Sequence, residues 1–247
     1  MDDKGTIRSG SEGRNPAPFT GGDHKFTKII DDICSLAWNA IDHRELFYVS
    51  QSYYYFSIQF RENLEIALAL YPQDQKLRFL HTEECNTDNL SPWPRIAMVN
   101  EKLNHDEFMK RALLLQGEAR STHLDSVGSS YLYNIRSIDL LSRAKSIASY
   151  EDNGLSRVFS SILRATDWRG PALQAFKFFL ERHIEFDSDS DSGHGALSRH
   201  LLADDSIVPL WSAFHDLLLT AAPGLSRSGS NTASAASRSG ELVSMVR

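Results

Sequence analysis

Apolar residues recur every three or four positions along most of this chain, which is the spacing of one face of an α-helix. The first such face comprises Phe26, Ile29, Ile30, Ile33, Leu36 and Ala37. An aromatic run at 53–56 is also compatible with a strand, but it continues into a helical pattern that extends to Leu70. We therefore predict an all-α protein, a bundle of about seven helices.

The positions of Gly, Pro and the apolar faces give approximate helix boundaries. The first helix is expected to have roughly 16–18 residues, judged from its apolar period. Pro72 closes the second helix, and Pro171 is suited to the first turn of another. The remaining pattern predicts helices at about 45–70, 76–85, 95–116, 129–150, 155–165, 171–187 and 196–221.

Composition divides the chain into a central domain and two polar ends. Residues 1–22 are polar and lack the apolar core of a secretory signal, so we expect a flexible leader. Residues 223–247 are rich in Ser, Gly and Ala and are predicted to be a disordered tail. Residues 23–222 remain as one helical domain, since 247 residues suffice for one sizeable core.

Charge and hydropathy exclude several classes of function. The formal charge of −6 and the lack of a basic stripe argue against nucleic acid as a partner. No run of apolar residues is long enough to predict a membrane-spanning helix. Cys34 and Cys85 are the only cysteines, which favours a reducing compartment over a disulfide framework. A cytoplasmic protein is expected.

The strongest chemical signal is the pair His183 and Asp187. The two residues are four apart, so on a helix they share a face with the apolar residues Phe176 and Leu180. A buried imidazole and a buried carboxylate must be satisfied by a partner. A metal ion would satisfy them, and so would a structural His–Asp pair. Alternatively, the two side chains are not buried and belong to a surface-facing, acid-rich helix end.

The acidic run at 187–193 also invites a calcium interpretation. A calcium loop of the EF-hand kind needs Gly at its sixth position and Glu at its twelfth. Those positions are Ser192 and Ser198 here, which disfavours calcium.

Three other places could complete a site with His183 and Asp187. Glu84 ends an apolar-periodic segment, His105 opens an amphipathic one, and Glu151 follows a third. Taken singly, each is also explained as a solvated charge, a helix-end charge or an ordinary core histidine.

Taken together, these residues resemble a known family. The order Glu, His, Glu, His-x3-Asp, His over several helices resembles the haem-oxygenase-like diiron oxidases and oxygenases. The resemblance covers roughly residues 25–220 and is carried by four segments: Gln51-Ser-Tyr-Tyr-Tyr-Phe, Leu80-His-Thr-Glu-Glu, Tyr150-Glu151, and Phe179-x3-His183-x3-Asp187 with His194. The metal ligands that it implies are Glu84, His105, Glu151, His183, Asp187 and His194.

The resemblance also implies the chemistry. It implies the haem-oxygenase-type helical fold, two Fe²⁺ per chain and dioxygen as co-substrate. It also implies a homodimer that receives electrons from an external donor. The family's small-molecule substrates undergo amine N-oxygenation, desaturation or carbon–carbon cleavage, often in secondary metabolism. A substrate carboxylate would need a nearby cation, and Arg136, Arg143 and Lys145 are the candidates, although each is also explained as a helix-surface charge.

The chain departs from the family pattern in two places. Ser91 occupies the usual position of the first His, so His105 is assigned on the assumption that 86–100 is an insertion. The gap from Asp187 to His194 is longer than usual, which predicts a bulge there. His200 and Glu101 are the alternates for His194 and Glu84.

Two other functions stay open at this stage. One is a metal-independent enzyme of the same fold, either a cofactorless oxidase or a thiaminase-like enzyme that uses Cys85. Cys85 is a poor nucleophile because the adjacent anion Glu84 raises a thiol pKa. The other is a non-catalytic helical binding protein. Ferritin-like and zincin sites are disfavoured, because the sequence contains neither Glu-x-x-His nor His-Glu-x-x-His.

Overall fold

The structure is a computed structural model that describes residues 24–115, 119–187 and 193–226. Within these ranges the regular structure is helical, and the only extended pairings are two isolated bridges in the segment 86–104. The α-helices are α1 (Lys25–Ser35), α2 (His43–Leu70), α3 (Gln75–Cys85), α4 (His105–Leu113), α5 (Thr122–Arg136), α6 (Leu140–Ser149), α7 (Leu155–Ile162), α8 (Pro171–Asp187), α9 (His194–Ser198) and α10 (Val208–Ala221). The all-α prediction is confirmed.

α2 is the helix around which the others pack. It is buried on most of its circumference and contacts α3, α4, α5, α6, α8 and α10. Its aromatic run lies in the core, where Tyr53 and Phe56 are 3% and 0% exposed. A helix buried on most of its circumference must pack against neighbours on several sides, which places α2 in the middle of the bundle.

Buried polar side chains fix how α2 meets α6. The Gln59 amide donates to the Tyr150 hydroxyl at 2.8 Å, and the Asn63 amide donates to Ser146 Oγ at 3.0 Å. The Asn63 carbonyl accepts from Arg143 Nε at 2.8 Å. Tyr150 directly follows α6, and Ser146 and Arg143 lie within it. Because buried polar groups are costly without partners, these bonds set one register between α2 and the segment 143–150.

The segment predicted as helix 95–116 is helical only from His105 to Leu113, so the prediction was wrong at its start. Arg95 and Asn100 adopt positive φ angles of 68° and 61°, which interrupt a helix. Leu103 pairs instead with Thr87 across one of the isolated bridges. Residues 86–104 therefore form an irregular, packed segment between α3 and α4.

Two predicted helices are divided, and so the structure has more helices than the sequence predicts. The prediction 129–150 corresponds to α5 and α6, because Asp139 caps a new helix by accepting from the Ser142 amide. The prediction 196–221 corresponds to α9 and α10, separated at Leu202, whose φ is 54°. The first helix is also shorter than predicted, since the backbone at Leu36 is extended.

The packed domain continues slightly beyond the predicted boundary at 222. Pro223–Ser226 form a short 3-10 turn in which Leu225 is buried, and the Gly224 amide donates to Glu45 Oε1 at 2.7 Å. The predicted leader and the rest of the predicted tail lie outside the described residues. None of the helices in the described ranges has the length and apolar character needed to span a bilayer.

Replacing Asp42 tests the start of α2. Asp42 accepts from the Glu45 amide, and Glu45 returns a bond to the Asp42 amide, which is a complete capping box. We expect Asp42→Ala to lower the free energy of unfolding by about 1 kcal/mol, measured by urea denaturation. Asp216→Ala on α10, whose side chain is 79% exposed, is the control and should change it by less than about 0.5 kcal/mol. Equal stability of wild type and Asp42→Ala would contradict the capping role.

Candidate metal centre

All six side chains proposed as ligands meet in one buried region. Glu84 lies near the end of α3, His105 begins α4, and Glu151 lies in the turn after α6. α8 supplies His183 and Asp187, and α9 begins with His194. Their side chains are between 4% and 7% exposed. Most of these six residues therefore lie at or near the ends of helices.

The first group consists of Glu84, His105 and His183. His105 Nδ1 lies 2.6 Å from Glu84 Oε2 and 2.9 Å from His183 Nε2. One nitrogen or oxygen atom from each side chain lies within 4.8 Å of the others, a spacing that allows all three to bind one cation.

The tautomer of His183 follows from its backbone contact. Its Nδ1 lies 2.7 Å from the carbonyl of Phe179, which can only accept, so Nδ1–H donates and Nε2 carries the lone pair. Burial, followed by the nearby His105, lowers the pKa of His183 to about 3. The imidazole is therefore neutral, and Nε2 is available to a metal ion.

His105 is oriented by Asn89. The Asn89 amide donates to the Glu83 carbonyl at 2.9 Å, so its Oδ1 faces His105 Nε2 at 3.1 Å. Nε2–H then donates to Oδ1, and Nδ1 is left to face Glu84 and His183. This is the arrangement found around metal-binding histidines, whose second nitrogen is held by a carbonyl or carboxylate.

The second group consists of Glu84, Glu151 and His194, with Asp187 beside it. His194 Nδ1 lies 3.1 Å from Glu84 Oε1, 3.1 Å from Glu151 Oε2 and 3.7 Å from Asp187 Oδ1. Despite these distances, His194 Nδ1, Glu84 Oε1 and Asp187 Oδ1 have no hydrogen-bond partner among the described residues. The atoms face a common point instead of pairing well with one another.

Burial and mutual repulsion shift the pKa values of this group. Burial, followed by the charge of Glu151, raises the pKa of Asp187 to about 8. Burial alone would lower the pKa of His194, but Glu151 and Glu84 outweigh it and raise the pKa to about 11. Burial also raises the pKa of Glu151. The site is thus built to hold positive charge, as protons or as cations.

A π-helical turn at Tyr150–Gly154 places Glu151. Asp152 has a ψ of 66° and Asn153 a φ of 75°, so both depart from helical angles, and Asn tolerates the left-handed conformation well. A Cβ on Gly154 would lie 2.0 Å from the Ser149 carbonyl oxygen, so only glycine fits there. Such turns frequently occur at functional sites, where they redirect a side chain.

The two groups share Glu84. Its Oε2 faces His105, and its Oε1 faces His194 on the opposite side. Buried ionised groups cost several kcal/mol each unless they are compensated. The unpartnered atoms and the neutral His183 imidazole therefore fit a site that could hold metal ions, with one carboxylate between two positions.

Aromatic rings enclose the centre. The His183 ring stacks on Phe179 at a centroid distance of 4.0 Å, and Phe159 lies 5.9 Å away at its edge. Phe186 lies 5.7 Å from the His194 ring. These rings keep water away from the ligand atoms and so strengthen their electrostatic interactions.

A narrow cavity of about 20 Å³ borders ligands of both groups. That volume admits about one water-sized molecule. Phe60, Leu155 and Phe179 form apolar parts of its wall, and Arg61 and Asp106 also line it. The cavity therefore leaves room for a molecule of about the size of water beside the candidate ligands.

The cations predicted to lie near the pocket do not line this cavity. Arg136 and Arg143 bind Glu62, and Lys145 binds Asp204. Arg61 is the cavity-lining cation instead, and it is bound to Glu65 and Asp106. The earlier assignment failed because the sequence does not show which side of α5 or α6 faces the site.

The structure also places the alternates. His200 binds Asp74 and Glu101 binds Arg111, and neither alternate belongs to the two groups of ligand residues among the described residues. The predicted bulge and the acidic run fall mainly on 188–192, outside the described residues.

Sequence reasoning missed two supporting residues. Asn89 orients His105 from within the segment that we took for an insertion, and Ser156 Oγ donates to Asp187 Oδ2 at 2.6 Å. Neither residue type is unusual in its local sequence. Only the tertiary contacts identify them.

Comparisons of the chain with protein-family models, with curated proteins and with solved structures give no match. The family resemblance stays a prediction that rests on the residues themselves.

Replacing Asn89 tests the support of His105. We expect Asn89→Ala to weaken binding of a divalent cation such as Co²⁺ by about 10–100-fold, because His105 loses the acceptor that fixes its ring and tautomer. Equilibrium titration with a competing chelator measures this. Asn134→Ala, at the exposed end of α5, is the control and should bind as wild type does. Identical affinities for all three proteins would show that Asn89 does not support a ligand.

The shifted pKa values predict proton release on metal binding. At pH 7 the metal-free site holds protons on Asp187 and His194, whose pKa values are about 8 and about 11. A cation needs both groups deprotonated, so binding should release on the order of two protons and tighten as the pH rises from about 6.5 to about 8. Titration in weak buffer with an indicator dye measures the release. Affinity that is independent of pH would contradict this prediction.

Proposed function

We propose that this protein is an oxygen-dependent non-haem diiron oxidase or oxygenase that acts on a small-molecule amine, amino acid or fatty acid. The observation that carries the proposal is the position of Glu84, whose two oxygens face two different histidine-containing groups. A single structural ion pair would not need a second imidazole on the other oxygen. An external electron donor and a homodimeric assembly belong to the proposal through the family resemblance.

The donor set supports iron. It comprises three carboxylates and three imidazoles, and neither described ligand group includes a thiolate. Carboxylate and imidazole ligands suit iron and manganese, whereas structural zinc sites usually contain cysteine. Glu84, His105 and His183 would hold one ion, and Glu84, Glu151, His194 and Asp187 the other. Three carboxylates offset most of the charge of two divalent ions.

When bound, two ferrous ions would supply the electrons that reduce dioxygen. The residues of the chain provide the surroundings. Phe179 and Phe159 cover His183 and exclude water, and the adjacent cavity gives access to the ligand atoms. Ser156 Oγ donates to Asp187 Oδ2 and so holds this carboxylate with its Oδ1 toward His194.

The thiol-based alternative has little support. Burial, followed by the charge of Glu84, raises the pKa of Cys85. The thiol therefore stays protonated at neutral pH and is a poor nucleophile. A cofactorless oxidase of the same fold and a non-catalytic helical binding protein are the remaining alternatives, and metal analysis separates both from the proposal.

Anaerobic reconstitution with Fe²⁺ tests the proposal directly. We expect about two irons per chain by elemental analysis, because the two groups share one carboxylate. Mixing with oxygenated buffer should give a transient visible absorption and consume dioxygen. Protein that binds no iron and consumes no dioxygen would overturn the proposal, and a marked preference for Mn²⁺ over Fe²⁺ would overturn the choice of iron.

Ligand substitutions provide the second test. His183→Ala and Asp187→Ala should sharply reduce iron content, because each removes a ligand. The far-ultraviolet circular dichroism should stay helical, because each variant leaves the apolar side chains of α8 in place. His105→Ala should do the same and tests the assignment that depends on the insertion. His215→Ala on α10 is the control and should keep about two irons, as expected for a histidine outside both groups. Full iron loading in His183→Ala and Asp187→Ala would contradict the ligand set.

A further inference from the structure

An ion pair lies directly behind the second ligand group. Asp152 follows Glu151 in the π-helical turn, and its carboxylate accepts two hydrogen bonds from Arg199, from Nε at 3.0 Å and from Nη2 at 2.8 Å. The two side chains are only 8% and 13% exposed. A bidentate Arg–carboxylate pair fixes orientation as well as distance, and partial burial protects it from solvent screening.

This pair joins the two elements that carry Glu151 and His194. Arg199 comes immediately after α9, and α9 begins with His194. Asp152 is the residue next to Glu151. The first ligand group, in contrast, is carried by α3, α4 and α8, to which neither Asp152 nor Arg199 belongs.

The backbones of these two elements also approach closely. A Cβ added to Gly195 would lie 3.0 Å from the Glu151 carbonyl oxygen and 3.1 Å from Asp152 Cα, tighter than ordinary contacts. Glycine at 195 therefore lets α9 lie directly on the π-helical turn. The Asp152–Arg199 ion pair and this backbone contact therefore both hold α9 against the π-helical turn, one through side chains and the other through the main chain.

The turn needs such support. Asp152 and Asn153 depart from helical angles, so regular backbone hydrogen bonds do not fix the direction of Glu151. The turn also holds Glu151 close to Glu84 and Asp187, and these carboxylates repel one another when ionised.

We infer that the Asp152–Arg199 pair, together with Gly195, is a positioning device that holds Glu151 and His194 at the spacing needed to bind a cation. The inference rests on the proposed function, because it assumes that both ligand groups bind metal. It assigns the Asp152–Arg199 pair to the second ligand group alone. Loss of the pair should release the cation of the second group and leave the cation of the first group bound.

Titration of the full-length protein with Co²⁺ tests this. We expect wild type to bind about two equivalents. Arg199→Gln should bind about one equivalent tightly, with the second at least about tenfold weaker, as is usual when support of a ligand is removed. Arg199→Lys keeps the charge and one hydrogen bond, so it should recover part of the second site.

Electron paramagnetic resonance distinguishes this role from general destabilisation. In wild type, two Co²⁺ ions that share Glu84 should couple magnetically, so their resonance signal should lose intensity. At the same loading, Arg199→Gln should show the signal of an isolated high-spin Co²⁺. Arg136→Gln is the matched control, because Arg136 also makes a two-bond pair, with Glu62, but away from the site. It should bind about two equivalents and show the coupled signal.

Gly195→Ala keeps both charges and tests the same junction, so the inference stays testable even if Arg199→Gln fails to fold. It too should weaken the second equivalent selectively. Two tight equivalents in both Arg199→Gln and Gly195→Ala would overturn the positioning role and leave the proposed function standing. Equal loss of both equivalents in either folded variant would also overturn it. Wild-type protein that binds no metal would instead overturn the proposed function itself.

Discussion

Three carboxylates and three imidazoles are buried together at the centre of this protein, and the cost of burying charge is the constraint that the surrounding structure satisfies. The pKa values of the three carboxyl groups shift in opposite directions. The nearby imidazoles, His105 first, hold the pKa of Glu84 well below its usual value despite burial, whereas burial raises the pKa values of Glu151 and Asp187. Without a cation, protons must compensate this cluster, and metal ions held by the two groups would take their place.

The scaffold explains how ligands from distant parts of the chain meet. α2 contributes no ligand, yet it binds α6 through Asn63 and the turn after α6 through Gln59, and it packs against α3, α4 and α8. The ligands lie where the surrounding helices begin, end or turn: Glu84 at the end of α3, His105 at the start of α4, His194 at the start of α9. Rigid helices on a common core hold such ends in place better than loops would.

The sequence-based expectations succeeded where local physics dominates and failed where it does not. α8 was predicted with its bounds, because Pro171 suits a first turn and its apolar face is regular. The long helices predicted at 95–116 and 196–221 were wrong, because Arg95, Asn100 and Leu202 adopt positive φ angles, which interrupt a helix. Apolar periodicity continues across such breaks, so it does not reveal them.

The amino-acid sequence by itself determined that the protein is helical, and it placed His183 and Asp187 on one face, because both follow from the 3.6-residue period of a helix. It also supplied the residue types of the candidate site. Only the tertiary structure decided that Glu84 stands between two groups, that Asn89 orients His105, and that Arg199 binds Asp152. These contacts join residues on separate elements, and a helical period constrains only neighbours within about one turn.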